Sequence, residues 1–203
     1  MNSLHSLPDE SGISLLKLIY AGKTVSIVSV LNSGNNTIEY ILTESGLIAG
    51  ASKSKNLLQL IIQDNSLQMP DTKVAVEWAL MMRQENRDLL DIYDMDAFLV
   101  NITNKGITKA SIKVIGRFIK LVNDYRWQVC NAELGKILEY PSIKKLWWLY
   151  SEYVFWERIH KDVSFTQHVG ALDLHEVKSK LIKLIEAFSN SISTFDEHST
   201  SLN

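Results

Sequence analysis

The sequence predicts a predominantly helical α+β protein, with a small N-terminal antiparallel β-meander packed on a C-terminal helical bundle. Two patterns carry that expectation. Between Lys23 and Ala51, β-branched residues cluster and apolar residues alternate with polar ones around Gly- and Asn-rich breaks, the period-2 signature of strands. Beyond residue 65, apolar residues recur at spacings of three, four and seven behind capping residues, as amphipathic helices require.

Residues 1–10 are expected to fray. Ser11 is a candidate cap for a short helix bearing Ile13, Leu15, Leu16, Leu18 and Ile19, which Gly22 would end. Val25, Ile27, Val28 and Val30 mark a strand. The turn Asn32-Ser33-Gly34-Asn35-Asn36 follows it, because Gly and Asn tolerate positive φ. Ile38, Tyr40 and Leu42 form the next strand, Glu44-Ser45-Gly46 the next turn, and Leu47–Ala51 the third strand. A short helix is predicted over roughly 55–63, with Leu57, Leu58, Leu60, Ile61 and Ile62, followed by a loop from Asp64 to Met69.

Pro70 and Asp71 prepare a long helix reaching about residue 92, with Val74, Trp78, Met81 and Met82 inward. Asn101 to Gly106 reads as a loop and Thr108 as the cap of the next helix. Another short helix is expected over 131–139. Pro141 and Ser142 then open a long one running to about His160. The last, near 172–189, gathers Leu174, Val177, Leu181, Leu184, Ile185 and Phe188 on one face.

In domain terms, 1–64 is a helix plus a β-meander. Residues 65–190 are a helical region expected to share one core with it, because three short strands alone are marginal. Residues 191–203 are a polar, flexible tail. Over residues 37–52, the stretch TIEYILTESGLIAGAS resembles the strand–turn–strand of roadblock-like and other small regulatory α/β modules; the remaining chain does not extend the likeness, and no family assignment follows from it.

Composition narrows the function classes. The 203 residues are 46% hydrophobic and 22% charged, with a formal charge of −2, so the whole chain presents no electrostatic footprint for nucleic acid or membrane. The single cysteine, Cys130, precludes an internal disulfide and suits a reducing, cytoplasmic setting. No uncharged apolar run is long enough for a membrane span. The histidines His5, His160, His168, His175 and His198 form no ligand pair at helical spacing. Walker, GxGxxG and GxSxG motifs are absent. No catalytic residue, metal or cofactor is therefore expected, and an enzyme would need a site assembled from distant residues.

Three features can still carry function. Lys109, Lys113, Arg117 and Lys120 fall within an arc of roughly 80° on one helix, and Lys105 extends the positive region. Such a stripe can bind phosphate or an acidic partner, and its plainer reading is a solvated helix face. The segment KKLWWLYSEYVFWERIH carries aromatic residues nearly all round. Its plainer reading is a core helix; its functional one is partner contact through Trp147, Trp148, Tyr150 or Trp156, because Trp and Tyr are enriched at binding hot spots. Trp127 is a candidate for the same surface. The acidic run Glu85, Asp88, Asp91, Asp94 and Asp96 lacks the spacing of a calcium loop and reads as a solvated face.

The reading that follows is a non-enzymatic regulatory, adaptor or structural protein that acts by binding a macromolecule, most plausibly a protein. A nucleic-acid-binding or packaging role for the basic helix is the alternative. A homo-oligomer is compatible with a helix that is apolar all round.

Overall fold

The computed structural model describes residues 12–31, 39–64, 66–68, 71–85, 90–104, 106–155 and 165–195, apart from the side chains of Glu85 and Leu90. It has the expected α+β architecture: strands gather toward the N-terminus and helices fill the C-terminal part. The chain divides into two compact units, one of residues 1–92 with 191–203, the other of residues 93–190. Residues 65–92, assigned from their pattern to the helical region, thus cluster with the sheet.

In the first unit, strand β1 (Ile13–Tyr20) pairs antiparallel with β2 (Lys23–Leu31), from Ile13 opposite Val30 to Tyr20 opposite Lys23. This corrects the short helix expected there. Leu15 and Leu16 are both 1% exposed, so both faces of the strand are buried. A strand buried on both faces shows no alternation and cannot be told from a helix by periodicity. Ala21 and Gly22 have φ of 48° and 69°. Two successive positive φ values make the tight hairpin that suits the strand twist, where a helix C-terminus was expected.

Strands β3 (Glu39–Ile41) and β5 (Leu47–Ala51) both pair with the far side of β2, and β4 (Thr43–Glu44) forms a second tight hairpin with β5 across Ser45 and Gly46. The predicted turn over 32–36 lies outside the described residues. Helices α1 (Ser54–Gln63) and α2 (Thr72–Glu85) cover one face of the sheet. Leu57, Leu58, Ile61, Ala75, Trp78 and Met82 pack there with Ile13, Leu15 and Val28.

Two further strands bring the sheet to seven among the described residues. β6 (Leu90–Asp94) lies beside β1, where the sequence suggested the end of a long helix. β7 (Ile192–Thr194) runs parallel to β5, with Ile48 opposite Ile192. The tail is therefore structured as far as Phe195, whose backbone N–H donates to the Gly50 carbonyl at 2.8 Å. Ile192 sits so close to Gly50 that a Cβ there would lie 2.9 Å from its Cγ2. Residues 196–203 lie outside the described residues.

The second unit contains α3 (Met95–Asn104), α4 (Lys109–Gln128), α5 (Ala132–Leu138), α6 (Pro141–Tyr150), a π-helical turn over Ser151–Phe155, α7 (Phe165–Gly170) and α8 (Leu174–Ser189). The Asn101–Gly106 loop is a correction, since α3 runs through Asn104. Asp94 starts α3 by accepting from the Ala97 N–H at 2.8 Å. Two members of the acidic run are thus explained: Asp94 caps this helix and Asp96 lies in its first turn, where the macrodipole favours a negative charge. Asp91 is exposed, and Asp88 lies outside the described residues.

Thr108 caps α4 in a reciprocal pair with Ser111, as its position predicts. Pro141 occupies the first turn of α6. On α8, Val177, Leu181, Leu184, Ile185 and Phe188 are buried, and Phe188 meets Phe118 and Tyr125 of α4 edge-to-face, with ring centroids 5.5 and 5.7 Å apart. No helix among the described residues is long and apolar enough to cross a membrane.

Candidate functional site

Helix α4 is a 20-residue helix whose exposed side faces away from Phe118, Leu121, Val122 and Tyr125. Lys109, Lys113 and Arg117 are exposed on that side. Lys120 is half-buried and donates to Asp124 one turn on, at 2.6 Å. Asp124 is itself buried, so much of the Lys120 charge is spent inside the fold. Lys105 lies outside the described residues. The basic stripe therefore contributes three exposed cations and a fourth that is half-buried and paired with Asp124. Trp127, 65% exposed, continues the same azimuth towards the end of α4.

The aromatic helix divides into inner and outer members. Tyr150 is buried, and its ring lies on Gly116 of α4 so closely that a Cβ at Gly116 would overlap it. Tyr150 is thus a packing residue, a correction to its assignment as a partner contact. Its periodicity could not reveal this, because only the missing side chain at Gly116 lets the ring in. Trp147 and Trp148 are 39% and 36% exposed. Trp147 leans on Tyr150, with centroids 5.4 Å apart. Lys145 places its ammonium 3.9 Å above Trp148, and His168 meets the same ring edge-on at 5.1 Å. Trp156 lies outside the described residues.

Between α4, α5 and α6 runs a groove of about 220 Å³. Ile119, Leu138, Ile143 and Trp147 give it an apolar lining, with Asn123, Arg126, Lys144 and Glu139 as its polar members. Arg126 and Glu139 also line a more open trough of about 510 Å³ beside Trp127 and Cys130. Arg126 is placed by two neighbours. Its guanidinium carbon lies 4.4 Å from the Trp127 ring centroid. Gly135 leaves room for it: a Cβ there would stand 2.9 Å from Nη1. Its Nε is shielded from solvent and has no hydrogen-bond acceptor among the described residues. Lys144 pairs with Glu139; that contact, reinforced by Arg126, holds the Glu139 carboxyl below the ordinary glutamate range.

The groove lay beyond sequence reasoning as a unit. Ile119, Asn123 and Arg126 follow helical spacing on α4, and Ile143 and Trp147 do so on α6. Their convergence depends on how the helices cross. No cluster of three or more metal-ligating side chains occurs among the described residues.

Comparison with known proteins bears on the fold alone. No protein-family model matches the chain, and no curated protein matches it. The C-terminal domain of SatS, solved in complex with bromine, superposes with a TM-score of 0.60, covering 92% of this chain and 95% of that one at 11% identity. At that identity the likeness is one of architecture.

Proposed function

We propose that this protein is a non-enzymatic binding protein, a regulator, adaptor or structural subunit, that engages a protein partner through the α4–α6 face. The observation that carries this reading is the placement of Trp147. Its partly exposed ring forms one wall of a groove that also holds two cations and hydrocarbon side chains. Aromatic and Arg side chains beside a pocket are the groups that dominate protein–protein binding energy. Trp148 and Trp127 extend the aromatic surface around it.

Affinity capture from the native host tests this, with the wild-type chain and the W147A variant side by side. At least one protein, which can be a second copy of this chain, should be retained by the wild type and reduced tenfold or more with W147A. Identical captures from two equally stable proteins would refute the reading.

A second reading rests on Lys109, Lys113 and Arg117, exposed along one azimuth with Trp127 beyond them. Cations that track a backbone together with an aromatic ring that stacks a base suit single-stranded nucleic acid. Filter binding should then weaken as salt rises, with a slope of about −0.7 per phosphate contacted, and the K113E/R117E double variant should bind less. Binding indifferent to salt and to charge reversal removes this alternative.

A further inference from the structure

We infer that the groove between α4, α5 and α6 recognises the C-terminal residue of a protein partner: a free α-carboxylate carried on an apolar side chain. This rests on the partner-binding reading above and names the chemistry that the partner presents.

The charge balance of the groove favours an anion. Arg126 and Lys144 contribute two positive charges and Glu139 one negative. The Glu139–Lys144 pair is internally matched, which leaves the Arg126 guanidinium as the surplus charge. Its Nε–H is shielded from water without an acceptor among the described residues. That nitrogen is sealed by the protein itself, so the rest of the guanidinium is what Arg126 offers the groove it lines, and a carboxylate there forms charge-assisted hydrogen bonds. The Trp127 ring and the close approach to Gly135 place the guanidinium, so little further ordering is needed when an anion arrives.

The hydrocarbon beside that cation selects the kind of carboxylate. Ile119, Leu138, Ile143 and Trp147 line the same groove. An internal Asp or Glu would bring two flanking peptide groups onto this apolar surface, where unpaired amides are costly. A chain terminus differs, because its carboxylate and its side chain leave the same Cα. It offers charge and hydrocarbon together with only one peptide group following behind. Asn123, a further lining residue, can pair with that group through its side-chain amide. Capture of a terminal carboxylate is an established mode of peptide recognition.

The test uses the full chain and a library of N-terminally labelled hexapeptides with apolar last residues, once as free acids and once as C-terminal amides. Decanoate serves as a carboxylate with no peptide. Free-acid peptides should bind, shift the amide resonances of Gly135 and the indole resonance of Trp147, and bind at least tenfold more tightly than their amides. R126Q should lose tenfold or more while its melting temperature stays near wild type. K144Q provides a second variant and should weaken the same peptides less. Equal binding of acids and amides overturns the inference, and so does an R126Q variant that folds and binds normally. Binding of decanoate alone also overturns it, since the ligand would then be a small apolar acid. Lysate capture that depends on Trp147, combined with indifference to the terminal carboxylate, would leave the partner-binding reading standing and remove only this refinement.

Discussion

Gly116 shows how one missing side chain positions the functional face. On α4 a glycine ordinarily costs about 1 kcal/mol relative to alanine, yet here it admits the Tyr150 ring against the helix backbone. G116A should therefore destabilise, with overpacking of about 1–3 kcal/mol outweighing the gain in helix propensity. Urea unfolding measures it, and an unchanged or raised midpoint would contradict the packing account. Glu139 offers a residue-scale titration. Its carboxyl is held down chiefly by the hydrogen bond from Lys144, then by the Lys144 charge and that of Arg126, so it should titrate below the ordinary value of 4.5. The folded pKa is the lower one, so the contribution is present above the unfolded value and is lost as pH falls through the folded one. Carbon-detected NMR should find K144Q moving the Glu139 midpoint upward. At Tyr153 the sign reverses. Burial, then the nearby Glu152 charge, raises its phenol above 10.0, so its contribution is present below that value and is lost as pH rises through the folded pKa.

At the scale of elements, caps and strand registers decide which segments become helix. Asp173 accepts from the N–H groups of His175 and Glu176 at 2.9 and 3.1 Å and starts α8. D173A should cost about 1 kcal/mol, read as a lower denaturation midpoint; no change would mean that the helix is anchored by its apolar face alone. The same chemistry at Asp94 was legible in the sequence, as an Asp standing just before an apolar run. Its place within an acidic run hides that role, because the run as a whole has the pattern of a solvated face. Thr108 and Pro141 were legible and mark real helix starts. The identity of β1 was not legible. Its residues ISLLKLIY match neither period cleanly, and pairing with β2 across the whole strand settles the choice.

For the whole molecule, the chain returns to its beginning at its end. Ser191 accepts from the Ile48 N–H at 2.8 Å, β7 adds to β5, and Phe195 packs against the sheet core. Truncation after Asn190 should destabilise the sheet-containing unit by roughly 1–3 kcal/mol through lost apolar burial. Hydrogen exchange should then quicken in β5 while residues 109–128 keep their protection. Uniform loss across both units would show that they unfold together, and no loss in β5 would show that the strand contributes little. A Ser- and Thr-rich tail gives no sign of this in the sequence, because the pairing partner lies more than a hundred residues away.

Local chemistry by itself determined the class of the protein, most helix starts, the inward face of α8 and the absence of familiar catalytic and nucleotide-binding motifs. Those properties depend on residues within a turn or two of one another, where spacing and capping act directly. Tertiary structure decided the rest: the strand identity of residues 13–20, the return of β7, the burial of Tyr150 and the groove around Arg126. Each depends on contacts between separate elements, and a side chain's exposure is set by what the fold brings beside it.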